Sequence, residues 1–481
     1  MSMPSAQVLI GDRWRPPAGG QTLDVVNPSD GEKFAEIARG TAPDIDAAVA
    51  AAQAAYDGAW GRVSAVERGR LMMKLSRAIQ DDHDNLVRLE AMDTGKPLKQ
   101  ARADIVAFAR YFEFYGGACD KLHGETIPYL DGYTVMTLRE PHGVTGHIIP
   151  WNYPAQILGR SLGAALAVGN ACVVKPAEDA CLSALRLGEL ALAVGFPAGA
   201  LNIVPGLGEE AGAALAGHPG IDHISFTGSP EVGTLVQQAA ARHNRPVTME
   251  LGGKSPQAVF ADADFDAALP FITNAIIQNA GQTCSAGSRL LVEASAYDTF
   301  VGRVAERFGT LQVGSSDMDL DCGPLINKAQ HERVHGFLGR ADGARFRKLG
   351  EGKVAANAPR GGYYVAPTLY GDVDPRHPMA QEEVFGPVLT VFRFADEDEA
   401  IRMANGTEYG LVAGVWTRDG ARQMRLARKI RAGQVFINNY GAGGGIELPF
   451  GGVKRSGFGR EKGFEALLGF SVLKTVAIRH G

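Results

Sequence analysis

Apolar residues recur at i, i+3 and i+4 through "DIDAAVAAAQAAYDGAW" and "VERGRLMMKLSRAIQDDHDNLVRLEAMDTG", so residues 45 to about 120 read as helices. The next stretch, "HGETIPYLDGYTVMTLREP", alternates polar and aromatic residues and predicts an extended hairpin. The period then changes. "VTGHIIP", "ACVVKP", "LNIVPG" and "HISFTG" are short β-branched runs, spaced by helical segments such as "CLSALRLGELALAVG". Strand–helix–strand alternation at this spacing predicts a parallel sheet with crossover helices. A second α/β block begins near residue 253, with "QAVFA", "SRLLVE", "VLTVFRFA", "LVAGVWT" and "QVFINN" as its strands. Residues 343–362 read as loop, and no internal repeat stands out. The pattern predicts two α/β domains and a small extended element.

Composition narrows the function classes. The chain has 481 residues, 45% hydrophobic and 21% charged, the balance of an ordinary globular protein with a large core. A formal net charge of −5 leaves no basic footprint, so neither nucleic acid nor an anionic membrane is an expected partner. No apolar run reaches the ~18 residues of a membrane span. The start, "MSMPSAQVLIGDRW", lacks a basic segment before an apolar one, so no signal peptide is expected. Five scattered cysteines, at 119, 172, 181, 284 and 322, form no C-x-x-C pair and lie near no histidine pair. Buried reduced thiols in a cytoplasmic protein, with no disulfide scaffold and no metal site, are the expectation.

Four stretches carry candidate chemistry. In "ELGGKSP" the "GGKS" resembles the end of a phosphate-binding loop, but the required earlier glycine would fall at Thr248. Pro256 also biases Ser255 towards extended backbone where such a loop needs a helix. In "FTGSPEVG", Gly228 and Gly233 border a turn from strand to helix, which offers N–H groups and a positive dipole end to a pyrophosphate. The strand "ACVVKPAE" ends in Lys175 and Glu178, and an acid past a strand end can accept both ribose hydroxyls. In "NAGQTCSAGSR", Cys284 follows a helix ending near Gly281, where a thiol can be exposed and polarised. A reactive thiol needs a proton acceptor and an oxyanion donor, for which Glu250 and Asn152 of "PWNYP" are available.

Seven motifs, "PWNYP", "KPAE", "FTGSPEVG", "MELGGKSP", "NAGQTCSAGSR", "EEVFGP" and "PFGGVKRSGFGRE", stand in one order along the chain. In order and spacing the sequence resembles the NAD(P)-dependent aldehyde dehydrogenase superfamily from about residue 8 to 478. The resemblance implies an α/β fold: a Rossmann-type dinucleotide-binding domain (1–120 and 142–252), a catalytic domain (253–453) and a β-rich oligomerisation element (121–141 and 468–481). It implies a homodimer or homotetramer acting on a small-molecule aldehyde. Cys284 would be the nucleophile and Glu250 the general base, with the Asn152 amide and the Cys284 N–H as the oxyanion hole. Lys175 and Glu178 would hold the adenosine ribose, and Gly228, Ser229 and Val232 would lie beside pyrophosphate and adenine. Glu383 and Phe385 would place the nicotinamide ribose and ring, with Ile149, Trp151, Gly208, Phe226, Leu251 and Gly252 completing the cofactor site. NAD is expected over NADP, because a 2′-phosphate would face the Glu178 carboxylate.

Thiolate attack, hydride transfer to the cofactor and hydrolysis of a thioester by Glu250-activated water would give the acid. Relatives that pass the acyl group to coenzyme A lack that glutamate, which disfavours acyl transfer; a non-catalytic protein on the same fold would have lost these residues. Many relatives carry a lysine immediately after position 160, paired with a glutamate equivalent to Glu461. This chain has Ser161 there, so a proton relay through that pair lacks its cation. After Asn152, the residues Tyr153, Gln156, Ile157 and Arg160 share one helix face, which would line the aldehyde tunnel together with Thr283, Ser285 and Phe450. Gly441, Ala442 and Gly443 leave room there. An aromatic aldehyde, or a semialdehyde whose polar or acidic end meets Arg160, is the expected substrate; the alternative is an Arg160 turned aside into a structural salt bridge.

Overall fold

Each β-branched run picked out by the alternation forms a strand, and the strands assemble into two separate twisted sheets. A computed structural model of the chain describes residues 6–441 and 445–481. In the first sheet five parallel strands lie in the order Leu201–Ile203, Ala171–Pro176, Val144–Ile149, His223–Thr227, Val247–Glu250. The chain winds outward from Val144–Ile149 in both directions. This places a crevice at the carboxyl ends of Val144–Ile149 and His223–Thr227, where the strand order reverses and ligands of doubly wound sheets bind. Two antiparallel N-terminal strands, Val8–Ile10 and Arg13–Arg15, extend one edge, and Gly457–Phe458 caps the other.

The second sheet runs Arg347–Glu351, Thr368–Gly371, Val388–Phe394, Arg289–Glu293, Pro256–Val259, Val412–Trp416, Gln434–Ile437, all parallel except the first. Arg347–Glu351 and the short Lys353–Val354 correct the expectation of a loop over 343–362. Arg347–Glu351 is an edge strand with Leu349 as its one large apolar residue, half-buried to exposed along its length, so it carries no apolar alternation to read. A third, three-stranded sheet joins the hairpin Thr126–Ile127 and Tyr133–Pro141 to the C-terminal strand Ser471–Arg479. Among the described residues no helix is long and apolar enough to cross a membrane.

The helix Pro154–Val168 is central to the site and is buried almost throughout. Proline in its first turn needs no N–H partner, and Gly169 ends it in the left-handed region, at φ 108°. It packs against Leu98–Ala118 through two glycines one turn apart. A Cβ on Gly159 would lie 2.9 Å from the Tyr111 ring, and one on Gly163 2.6 Å from Tyr115. Close packing here sets how near Tyr111 comes to the side chains of Pro154–Val168. Gly159→Val should therefore cost about 1–3 kcal/mol by overpacking and lower the melting temperature. Gly336→Ala, on an exposed helix with nothing near its added methyl, should be neutral or stabilising by up to ~1 kcal/mol. Equal melting temperatures for these two variants would contradict this account of the helix pair.

Candidate active site

The carboxyl ends of the first sheet face the loops that enter the second. Glu250 ends the strand Val247–Glu250, Asn152 follows Val144–Ile149, and Cys284 sits on the loop before Arg289–Glu293. That loop begins with Asn279 and Ala280 at φ 47° and 53°, in the left-handed region. A Cβ at the following Gly281 would collide with the backbone of Gly386. The turn is therefore shaped by a close backbone approach that only glycine permits.

Asn152 is fixed from three directions. Its carbonyl oxygen accepts from Asn279 Nδ2 at 2.7 Å and from Lys96 Nζ at 3.3 Å, and its Nδ2 donates to the Gln282 carbonyl at 3.0 Å. Lys96 is itself wholly buried against Glu90 (3.2 Å) and Asp104 (2.5 Å), and lies 4.4 Å from the Tyr153 ring centre. Sequence reasoning passed over Lys96, because its partners come from separate helices and loops.

Two cavities meet at Cys284 and Asn152. One, of about 550 Å³, is lined by all seven of the residues expected around substrate: Tyr153, Gln156, Ile157, Arg160, Thr283, Ser285 and Phe450. Its wall also holds Tyr111, Phe271, Tyr440 and Lys462, which no motif signalled. Tyr111 and Asp104 reach it from Leu98–Ala118, a helix whose sequence shows only its core-facing period. Of the glycine-rich loop expected to widen the tunnel, Gly441 lines the cavity, and Ala442 and Gly443 lie outside the described residues.

The second cavity, of about 740 Å³, holds Trp151, Gly228, Ser229, Gly252, Glu383 and Phe385 from the expected cofactor set, with Glu250 in its wall. Thr227, Arg333 and Tyr409 were not anticipated there. Ile149, Lys175, Glu178, Gly208, Phe226, Val232 and Leu251 do not line this cavity. Ile149, Lys175, Phe226 and Leu251 are buried at or near strand ends, Gly208 is exposed, and Val232 is exposed on the helix Pro230–Ala241. Lys175 Nζ donates to Glu178 Oε2 at 2.6 Å, so the two residues hold each other. Ser229 caps the helix by accepting from Val232 N–H, which leaves the positive helix end at the cavity wall.

Burial dominates the electrostatics. It pushes the Cys284 thiol up to about 12, with Arg160 opposing and Glu383 and Glu250 reinforcing the shift. The thiol is half-buried, less exposed than expected from the sequence. Burial likewise holds Glu250 well above the usual carboxylate range, against the pull of Arg160. Among the described residues no hydrogen-bond donor reaches either Glu250 carboxylate oxygen, and both are buried. Glu383 is pushed up to about 7 by burial, although the Gly253 N–H donates to it at 3.0 Å.

Arg160 lines the aldehyde cavity, yet its guanidinium is committed elsewhere. Nε pairs with Glu461 Oε2 and Nη2 donates to Thr227 Oγ1 at 3.0 Å, while the group lies 4.9 Å from the Phe450 ring centre. Ser161, in place of the lysine of many relatives, donates to Ser225 Oγ at 2.9 Å, and Ser225 donates to Glu461 Oε1 at 2.6 Å.

Residues 14–476 match the profile of the aldehyde dehydrogenase family. Human retinal dehydrogenase 2 is 42% identical over 480 residues, 98% of this chain and 92% of that protein. The crystal structure of a putative aldehyde dehydrogenase from Burkholderia cenocepacia superposes with a TM-score of 0.98 at 67% identity, covering 99% of this chain and 100% of that one. An NAD+ complex of an aldehyde dehydrogenase from Bacillus cereus superposes with a TM-score of 0.96 at 38% identity, over 99% of this chain and 97% of that one. With a cysteine and an asparagine at the junction of two cavities and a profile match across nearly its whole length, the chain belongs to the aldehyde dehydrogenase family.

Proposed function

We propose that the protein oxidises an aromatic aldehyde, or a semialdehyde with a polar or acidic end, to its carboxylic acid with NAD as hydride acceptor. The meeting of two cavities at Cys284 carries this reading, since aldehyde and dinucleotide can then reach one sulfur from opposite sides. The second cavity suits a dinucleotide. A capped helix N-terminus offers positive potential to phosphate, and the Glu383 carboxylate offers acceptors to a ribose. Trp151 and Phe385, edge to face at 5.4 Å, supply an apolar wall for a ring. Glu178 lies outside that cavity, paired with Lys175, and in this reading meets the adenosine half. A nicotinamide dinucleotide bound there supplies the acceptor for the hydride.

The chain's own residues do the rest. Cys284 Sγ gives its proton to Glu250, which passes it to solvent, and bonds to the aldehyde carbon as the carbonyl electrons move to oxygen. The Asn152 N–H not held by Gln282 and the Cys284 backbone N–H meet that oxyanion, both rigid before the reaction begins. Loss of hydride leaves a thioester. Glu250, with no hydrogen-bond partner among the described residues to compete for its oxygens, then takes a proton from the water that attacks the thioester carbon. The acid departs and the thiol returns. Glu250 favours this outcome over acyl transfer to coenzyme A, and the presence of all three groups argues against a non-catalytic protein.

The substrate reading rests on the first cavity. Tyr111, Phe271, Tyr440 and Phe450 give it aromatic walls, and Arg110 and Lys462 add positive charge. Turning Arg160 out to a substrate carboxylate would strand the buried Glu461, at a cost of about 3–5 kcal/mol. The acidic end of a semialdehyde is therefore met by the other cations. The strand Ser471–Arg479 pairs on one side only and exposes Val472, Leu473 and Ile478, which supports a homodimer or homotetramer built on the three-stranded sheet; the cytoplasm is the compartment in this reading. Residues 1–120 with 142–252 serve as the dinucleotide-binding domain in this reading, 253–453 as the catalytic domain.

Cys284→Ala should abolish NADH formation while leaving NAD binding by fluorescence nearly intact; turnover near the wild-type rate would remove Cys284 from the mechanism. Glu250→Gln should stall as an acyl-enzyme visible by mass spectrometry, and a normal steady-state rate would exclude it as the base. With NADP in place of NAD, repulsion between the 2′-phosphate and Glu178 is worth at most ~4 kcal/mol per charge pair at ~4 Å. Its pairing with Lys175 reduces this, so kcat/KM should favour NAD by roughly tens-fold and Glu178→Gln should narrow the gap. Benzaldehyde and succinate semialdehyde should exceed acetaldehyde in kcat/KM by ~10-fold or more, the return on burying further substrate surface. A preference for acetaldehyde would overturn the substrate assignment.

A further inference from the structure

Glu250 carries the water-activating role in the reading above, yet among the described residues nothing hydrogen-bonds to its carboxylate. Its proton affinity is therefore set by burial and by the charges that face it. Those are Arg160 from the helix Pro154–Val168, Arg460 and Glu461 from the C-terminal loop, and the Cys284 thiol from the loop before Arg289–Glu293. Arg160 is the stronger of the two cations. Its Nη2 donates to Thr227, which stands in register with Glu250 on the neighbouring strand.

What holds Arg160 in place is a buried chain of hydrogen bonds. Ser225 has one hydroxyl hydrogen and gives it to Glu461 Oε1 at 2.6 Å. Ser161 must then donate to Ser225, at 2.9 Å, so His147 Nδ1–H must donate to Ser161, at 2.7 Å. His147 Nε2 is left as an acceptor, 2.9 Å from Thr145 Oγ1. Burial keeps that imidazole neutral, pulling it down to about 3. Every link thus donates towards Glu461, and the carboxylate is held in place against Arg160. The whole chain is inside the protein.

We propose that Arg160 is a positioning residue for thioester hydrolysis: anchored by the Thr145–His147–Ser161–Ser225–Glu461 chain, its guanidinium keeps Glu250 available as a proton acceptor. This rests on Glu250 as the general base. The cation does not touch the reacting atoms; it acts on Glu250 through space, with Glu461 as the opposing charge. Loss of Arg160 disfavours the Glu250 carboxylate, so hydrolysis requires higher pH. Loss of the Glu461 charge favours the carboxylate, so hydrolysis persists to lower pH. The two variants must move the same limb in opposite directions, which a merely structural role for the ion pair would not do.

The test is the pH dependence of acyl-enzyme decay in the NAD-loaded enzyme after a single turnover of benzaldehyde, followed by quenched mass spectrometry. Arg160→Met should move the acidic limb upwards by ~1 pH unit or more, and Arg160→Lys should restore most of the shift. Glu461→Gln should move it downwards. An unmoved limb in Arg160→Met, a lysine that restores nothing, or a shift of the same sign in both charge variants overturns the proposal. If Arg160→Met does not fold, Glu461→Gln and Arg160→Lys decide it, and a limb that stays put or rises in Glu461→Gln overturns it. Glu250→Gln separates the two readings. A thioester that hydrolyses normally in that variant removes Glu250 as base and this inference with it, whereas a stalled thioester beside an unmoved Arg160→Met limb removes this inference alone.

Discussion

The carbonyl oxygen of Asn152 is where the two sheets are tied together. Lys96 reaches it from the N-terminal helices and Asn279 from the loop that carries Cys284, while the Asn152 amide returns a hydrogen bond to Gln282 on that loop. A buried polar oxygen must be satisfied, so each of these segments is held to the others by the cost of leaving it bare. Because Lys96 is itself buried against Glu90 and Asp104, moving it would strand two carboxylates as well. The geometry at the cysteine is consequently stiff before any ligand arrives. That stiffness is what an oxyanion site requires, since donors that must reorganise lose most of their value.

Around this knot the ionisable side chains are buried, and burial governs their charges. Cys284, Glu250 and Glu383 are all held towards their neutral forms by burial. Arg160 works against burial at the first two of these groups. A chain that replaces a lysine by Ser161 could have lost its cation at this position. Instead the preceding residue supplies one, and the small serine leaves space for Ser225 and His147 to anchor the carboxylate opposite.

The same commitment reshapes the aldehyde cavity. With Arg160 drawn back onto Glu461, it presents the side of a guanidinium that lies against Phe450. The cavity's character then comes from aromatic side chains contributed by Leu98–Ala118, by the helix Phe265–Ile277 and by the C-terminal loops. Two glycines allow the first of these helices to lie close enough for Tyr111 to take part.

Much of this was legible in the amino-acid order. Short, nearly continuous β-branched runs marked the central strands of both sheets because those strands are buried on both faces. Short motifs pointed to Asn152, Glu250 and Cys284, and the fold brings all three to the wall of one cavity. Arg347–Glu351 stayed hidden because an exposed edge strand selects charge over alternation. The partner of Arg160, the support of Asn152 by Lys96 and the entry of Tyr111 and Tyr440 into the cavity were decided only by tertiary structure. Each depends on segments far apart in sequence, and a buried charge chooses its partner by proximity in space, which local pattern does not encode.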